Sequence, residues 1–421
     1  MAQNLKDRLK RIQGTKVQRG SVSAADDLPD KLKPICPDFV WPGWTEAGFK
    51  TYKRELKQEL MIPAAFPQSL AILIGDLQRM GYIPEPTDLL FFDLETTGLS
   101  GGAGTLAFLA AFGRFIHGEL HITQYLLLDY PGESDFIELA VKEFDSSADG
   151  NKPVMVTYNG KTFDSQILKT RCLMNGISVP DNHHVDLLHP GRRLWKRMLP
   201  DCSQVTIEVS ALSLDRTGDI PGAMAPDIWF SFLKTGDNRE LLGICDHNVK
   251  DIYGLAALFL AFNEIALEPF AQGKKYRIDE EALALAWFNT FKKNNHSFFL
   301  EESFRAYSET GERLLKTAAQ RECTRAVFTL GMEYFKKGQG EEGRSLMLLL
   351  AENDDIPGSL KSAVFRSLAI DAEWRIRDIS LALGYTGSAL AVQEISGSQR
   401  DELLKRQSRL EEKKNNENAC N

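Results

Sequence analysis

The sequence predicts an α/β protein: a mixed sheet flanked by helices, followed by a section built of helices alone. Three observations predict it. The apolar run Leu89-Leu90-Phe91-Phe92, bounded by Pro86 and Gly98, reads as a strand buried on both faces. Strand-like and helix-like runs then alternate as far as residue 267. Beyond residue 270 strand patterning stops, and apolar residues recur at helical spacing up to residue 395.

The first strand runs straight into two acids. Strand side chains alternate, so Asp93 and Glu95 leave on one face and Leu94 on the other. Paired carboxylates at a buried strand end repel each other and lose hydration, so something must neutralise them. A divalent cation with oxygen ligands does so, and Mg²⁺ or Mn²⁺ suits an all-carboxylate set. A lone Asp-x-Glu could equally sit in water, so the metal reading depends on further acids elsewhere in the chain.

Residues 105–115 and 120–128 read as two strands joined at His117-Gly118, forming an antiparallel meander with the first. Residues 134–144 read as a helix and 154–158 as the next strand, ending in the turn signal Asn159-Gly160. A helix comes next, with Asp164 in its first turn, where an isolated acid would merely face the helix dipole. His183 to Leu188 reads as a short strand; no Cys/His spacing there supports zinc. Gly191 to Arg197 is basic with one Trp, either a solvated helix face or a patch for a nucleic-acid backbone. Residues 240–267 read as one long helix, on which His247 and Asp251, four apart, share a face.

Five segments are expected. Residues 1–35 are a basic flexible tail, 36–84 a cap packed on the main domain, 85–268 the chemistry-bearing domain, 274–395 a weakly repeat-like array of helix hairpins, and 396–421 a charged tail, helical from about Gln399 and then disordered. Pro269 to Gly273 is the expected connection between two foldable units. The glycine-dense loop 99–104 lacks the Gly-Lys-Ser/Thr ending of a phosphate-binding loop. The net charge of −8 argues against a basic coat protein, though local basic linings remain compatible with a nucleic-acid substrate. The six cysteines are scattered without a C-x-x-C, which fits a reducing cytoplasm. No apolar run approaches the roughly 18 residues of a membrane span.

The combination Phe92-Asp93-Leu94-Glu95-Thr96-Thr97-Gly98, Tyr158-Asn159-Gly160-Lys161-Thr162-Phe163-Asp164, Gly218-Asp-Ile-Pro-Gly222 and His247-Asn248-Val249-Lys250-Asp251 resembles the DEDD exonuclease superfamily on the ribonuclease H-like fold, specifically its YprB-type domain. The resemblance covers residues 85–265. It implies that Asp93, Glu95, Asp164 and Asp251 bind two Mg²⁺ or Mn²⁺ ions and that His247 is the base. Thr96, Thr97, Gly98, Asn159, Phe163, Arg192 and Arg193 are the expected substrate contacts. In that superfamily the catalytic histidine typically stands five residues before the last Asp, and a tyrosine four before. His247 takes the tyrosine spacing. The alternative is that it caps the start of the helix or packs beneath the loop 218–222.

The expected function is metal-dependent 3′–5′ exonuclease action on a single-stranded DNA or RNA end, with a protein partner for the helical section. Two alternatives stand beside it: an adaptor whose site is a relic, and an endonuclease using the same site.

Overall fold

The computed structural model describes residues 41–98, 104–145, 152–292, 298–393 and 395–420. The basic stretch 1–35 and most of the glycine-dense loop, 99–103, lie outside the described residues.

Seven strands form one sheet in the order β1-β2-β5-β4-β3-β6-β7. They are β1 (Trp44–Gly48), β2 (Thr51–Glu59), β3 (Leu89–Thr96), β4 (Ala107–Ile116), β5 (Glu119–Leu127), β6 (Val154–Thr157) and β7 (His184–Asp186). Pairing is antiparallel from β1 to β3 and parallel for β3–β6 and β6–β7. The apolar run of β3 is buried on both faces as expected. Phe91 meets Phe115 and Phe259 on one side, with ring centroids 5.0 and 6.2 Å apart; Phe92 meets Phe112 and Phe144 on the other, each at 5.2 Å. Because β3 and β6 run parallel, their carboxyl ends share one edge of the fold. Asp93 and Glu95 therefore lie beside the loop that leaves β6.

Helices α1 (Leu70–Leu73), α2 (Gly75–Met80), α3 (Glu133–Lys142), α4 (Asp164–Asn175), α5 (Leu188–Trp195), α6 (Gln204–Ala211), α7 (Ala225–Thr235) and α8 (Arg239–Leu267) surround the sheet. The 29 residues of α8 cross β4 where that strand carries Gly113; a Cβ there would come within 2.6 Å of Ile252 Cγ2. The missing side chain lets α8 lie against the sheet, and this brings His247 and Asp251 over the end of β3.

Two expectations need correction. Residues 41–59 are not part of a cap: β1 and β2 extend the sheet itself, β2 pairing with β5 along its whole length. Glu55, Lys57 and Glu59 are exposed while Leu56 packs on the core, a charged alternation suited to strands near an open edge.

Nor do two units part at Pro269–Gly273. That stretch belongs to helix α9 (Pro269–Lys275), with Pro269 and Gly273 buried. Trp195 Nε1 donates to the Tyr276 carbonyl at 2.9 Å, and Asp279 N–H to the Leu194 carbonyl at 2.9 Å. One apolar core runs from Phe91 through Phe262 and Trp287 to Leu368. The helices α10 (Glu280–Lys292), α11 (Glu301–Gln320), α12 (Thr324–Lys336), α13 (Gly340–Glu352), α14 (Gly358–Asp371) and α15 (Ile379–Ala391) pack in sequential pairs on that core.

The charged end is helical, as expected at its start, and the helix continues through residue 420. It is helix α16 (Gly397–Cys420), anchored by buried Leu403 and Leu410. Among the described residues no helix is long and apolar enough to cross a membrane.

Candidate active site

Asp93 and Glu95 leave β3 on one face, as alternation requires, opposite Ala111 and Leu109 of β4. A register shift between Glu95 and Thr96 ends regular pairing just past the acids. Thr97 and Gly98 then close the turn. Thr97 Oγ1 accepts from Leu106 N–H at 3.0 Å, and the Gly98 carbonyl accepts from Thr96 Oγ1 at 2.8 Å.

Asp164 arrives by way of a loop that a buried carboxylate organises. Asp186, at the end of β7, accepts backbone N–H groups from Asn159 at 2.9 Å, Lys161 at 3.1 Å and Leu188 at 3.0 Å. Asn159 adopts a left-handed conformation (φ 67°), which an Asn side chain tolerates. Lys161 Nζ in turn pairs with buried Asp76 of α2 at 2.5 Å. So held, the loop starts α4 with Asp164 as its first residue, against the Leu94 N–H of β3.

His247 and Asp251 come from α8. Their i,i+4 spacing sets His247 Nε2 3.2 Å from Asp251 Oδ2 and 4.0 Å from Glu95 Oε1. His247 Nδ1 lies 2.9 Å from Asp219 Oδ2, within the loop 218–222. His247 therefore packs against that loop and also faces the acids. Gly222 matters here, since a Cβ would stand 3.0 Å from His247 Nε2. Asp93, Glu95, Asp164, His247 and Asp251 line one cleft of about 220 Å³, together with Thr96, Tyr158, Asn159, Phe163 and Pro226. Arg192 and Arg193 line a separate cavity.

The electrostatics are those of a site short of positive charge. Burial, then the charges of Asp164, Asp251 and Glu95, hold Asp93 well above the ordinary carboxylate range. Burial, then Asp251 and Asp164, do the same to Glu95. Burial lifts Asp164 to about 7 against the pull of its backbone hydrogen bonds. Burial disfavours a charged His247, but hydrogen bonds and charge from Asp251 and Asp219 prevail and raise it to about 9. Glu95, His247 and Asp251 each offer a ligand atom within 4.8 Å of the others, a grouping able to hold a metal ion, and it does not include Asp93 or Asp164.

Several supporting residues carry no motif of their own in the sequence. Arg216 Nη2 reaches Asp251 Oδ1 at 2.7 Å and Glu208 Oε2 at 2.5 Å, while its Nη1 reaches Asp219 Oδ2 at 2.9 Å. It fixes the His247 partner and one acid together. Asn248 Nδ2 donates to Asp93 Oδ2 at 2.7 Å. The one local signal for Asn248 is its place directly after His247.

Residues 90–263 match a family model described as the RNase_H superfamily. Over 237 residues the chain is 33% identical to a protein of Bacillus subtilis (strain 168) that bears the name "Uncharacterized protein YprB". That match covers 54% of this chain and 55% of the relative, so the chain spans about half the length of the curated relative it matches. Sheet order, flanking helices and sequence agree: residues 90–263 form a ribonuclease H-like domain of the RNase_H superfamily.

Proposed function

We propose that this cleft hydrolyses phosphodiester bonds of nucleic acid, releasing nucleotides from a 3′ end with the help of two divalent cations, Mg²⁺ or Mn²⁺. The observation that supports the reading is convergence. Four carboxylates and an imidazole from β3, α4 and α8 meet in one cleft, where the carboxylates raise one another's affinity for positive charge.

Such cations would supply charge relief at the leaving oxygen and an acidified water. Asp93, Glu95, Asp164 and Asp251 would hold them. Asn248 fixes one oxygen of Asp93 and Arg216 one oxygen of Asp251, so each carboxylate keeps a defined orientation. His247 is held protonated by carboxylate charge that cations at the acids would offset; with its Nδ1–H given to Asp219, Nε2 would then be free to take a proton from the attacking water. Asp219 orients that imidazole and stabilises the imidazolium that forms. Phe163 and Tyr158 supply apolar surface in the same cleft against which a terminal base can lie. The paired helices beyond residue 280 would guide the strand or hold a protein partner.

The test uses purified protein with 5′-labelled linear single strands of DNA and of RNA, and with a circular single strand. A progressive ladder from the linear strands, an intact circle and silence in chelator are expected. Circles nicked as fast as linear strands are trimmed would replace the exonuclease by an endonuclease. Binding without cleavage in Mg²⁺ and Mn²⁺ would leave the adaptor reading.

A further inference from the structure

We propose that a basic cavity reached from the acid cleft along α5 holds the phosphate backbone of the substrate strand behind its reacting end. The proposal rests on the nuclease reading for the word substrate, but the binding it describes can be measured alone. The cavity, of about 670 Å³, is larger than the acid cleft. Its lining carries Arg79, Arg192, Arg193, Lys196, Arg197 and Arg325 against a single acid, Asp279. In a chain of net charge −8, this surplus runs against the overall composition.

The cations divide into two kinds. Arg197 is held by Asp279 and Glu281, which tie two walls together, and Arg79 by Asp76 within its own helix. Arg193 Nη1 leans on the Ile72 carbonyl at 3.5 Å. The side chains of Arg192, Lys196 and Arg325 have no carboxylate partner among the described residues. They come from different elements, two from α5 and its end, one from α12 in the helical section. Like charges gathered in this way want an anion between them, and a guanidinium matches the phosphate oxygens geometrically. Along α10, Ala282, Leu285 and Ala286 add an apolar strip on which sugars and bases can lie, and Asn289 and Thr290 add polar groups.

Helix α5 joins the two sites. Gly191 lies so close to Tyr158 that a Cβ would stand 3.4 Å from the Tyr158 hydroxyl. Tyr158 lines the acid cleft, and Arg192, the next residue along α5, faces the basic cavity. The eight residues of α5 span roughly 12 Å, a short step for an extended strand. A strand with its end among the acids can therefore lay its preceding phosphates on Arg192, Lys196 and Arg325.

The experiment is fluorescence anisotropy of labelled dT20 and rU20 with the full chain in chelator, across a salt series. The variant is Lys196→Glu/Arg325→Glu. Affinity for both strands is expected to fall about tenfold or more, with the slope of log K against log salt about 1.4 shallower. Mn²⁺-dependent hydrolysis of bis(p-nitrophenyl) phosphate, which is too small to reach the cavity, is expected to match wild type. Should the charge reversal fail to fold, Lys196→Gln/Arg325→Gln gives a smaller loss in the same direction. A loss confined to dT20 or to rU20 would support the cavity and assign its sugar. Unchanged affinity and slope for both strands would overturn the proposal, as would weakened binding of poly-glutamate without any change for the oligonucleotides. If wild type hydrolyses no phosphodiester, the nuclease reading fails, while the oligonucleotide affinities still decide the cavity.

Discussion

Asn248 Nδ2 donates to Asp93 Oδ2 at 2.7 Å, and behind Asn248 a line of polar side chains crosses the sheet to Arg54. Gln124 of β5 donates through Nε2 to Asn248 Oδ1 at 2.9 Å and to the Cys245 carbonyl at 2.9 Å. Its Oε1 accepts from Arg54 Nη2 at 2.7 Å. Gln124 and Asn248 are wholly buried, so every polar atom they carry needs its partner.

Gln124→Leu would strand the Asn248 amide oxygen and leave the Arg54 guanidinium with Asp246 as its hydrogen-bond partner. A loss of about 1–3 kcal/mol is expected from urea unfolding. Activity measured on the folded fraction should also fall, in kcat more than in KM, because Asp93 loses the partner that aims it. Unchanged stability together with unchanged kcat would remove this line from the account.

The acid cluster links stability to pH. Asp164 moves from its ordinary 3.8 to about 7, and Asp93 and Glu95 are raised as well. The folded chain therefore keeps protons that the unfolded chain has lost, and stability contributed here falls as pH rises through that window. In chelator, Asp164→Asn should gain Tm relative to wild type as pH rises from 4 to about 7. Mn²⁺ should raise the wild-type Tm more at pH 7 than at pH 5, and should raise that of the variant less. A pH-independent difference between the two proteins would contradict the coupling.

His247 behaves in the opposite sense. Its folded value of about 9 exceeds its ordinary 6.5, so the stability it contributes is complete below 6.5 and is lost as pH rises through about 9. Asp219→Asn removes one cause of that elevation, and the imidazole resonance of His247 should titrate at lower pH by NMR. His247→Ala should lower the cleavage rate on the order of 10²-fold or more. A rate and pH profile equal to wild type would exclude the imidazole from proton transfer.

At the other end of the chain, Glu373 is buried beneath α16 and touches Arg406 at 2.6 Å, Arg409 at 2.5 Å and Lys413 at 2.6 Å. The hydrogen bond from Arg409 leads in holding it down at about 2, from an ordinary 4.5. The docking of α16 is therefore fully supported above pH 4.5 and weakens as pH falls toward 2. Hydrogen exchange should show α16 opening early in that window. Glu373→Gln should open it already at pH 7, since three cations then converge without a counter-charge.

The five side chains of the cleft were legible as a set through the resemblance; local geometry alone put Asp93 with Glu95 on one strand face and His247 with Asp251 on one helix face, and opened a helix with Asp164. The strand Leu89–Thr96 was legible from its apolar run. Asp219 and Asn248 stand inside the motifs of that resemblance, but their roles, like those of Arg216 and Gln124, were not legible, because they depend on which element lies beside which, and no local spacing encodes that. The division at Pro269–Gly273 misled for a related reason. Pro269 begins α9, where a missing N–H costs nothing, and Gly273 is buried against Ile278 and Leu283. Punctuation that reads as a linker is here the corner of a shared core. Residues 41–59 misled because charged alternation near an open sheet edge resembles a surface segment.

The central claim is that the carboxylates of this cleft act together on a phosphodiester through bound cations. The most direct measurement is the single-turnover cleavage rate of a 5′-labelled single strand by Asp93→Asn and by wild type, both in saturating Mn²⁺ and both with melting curves recorded. The account predicts a folded variant, with a Tm in chelator at or above that of wild type because one repelling charge is gone, and with cleavage abolished. A variant that cleaves at the wild-type rate under those conditions would contradict it.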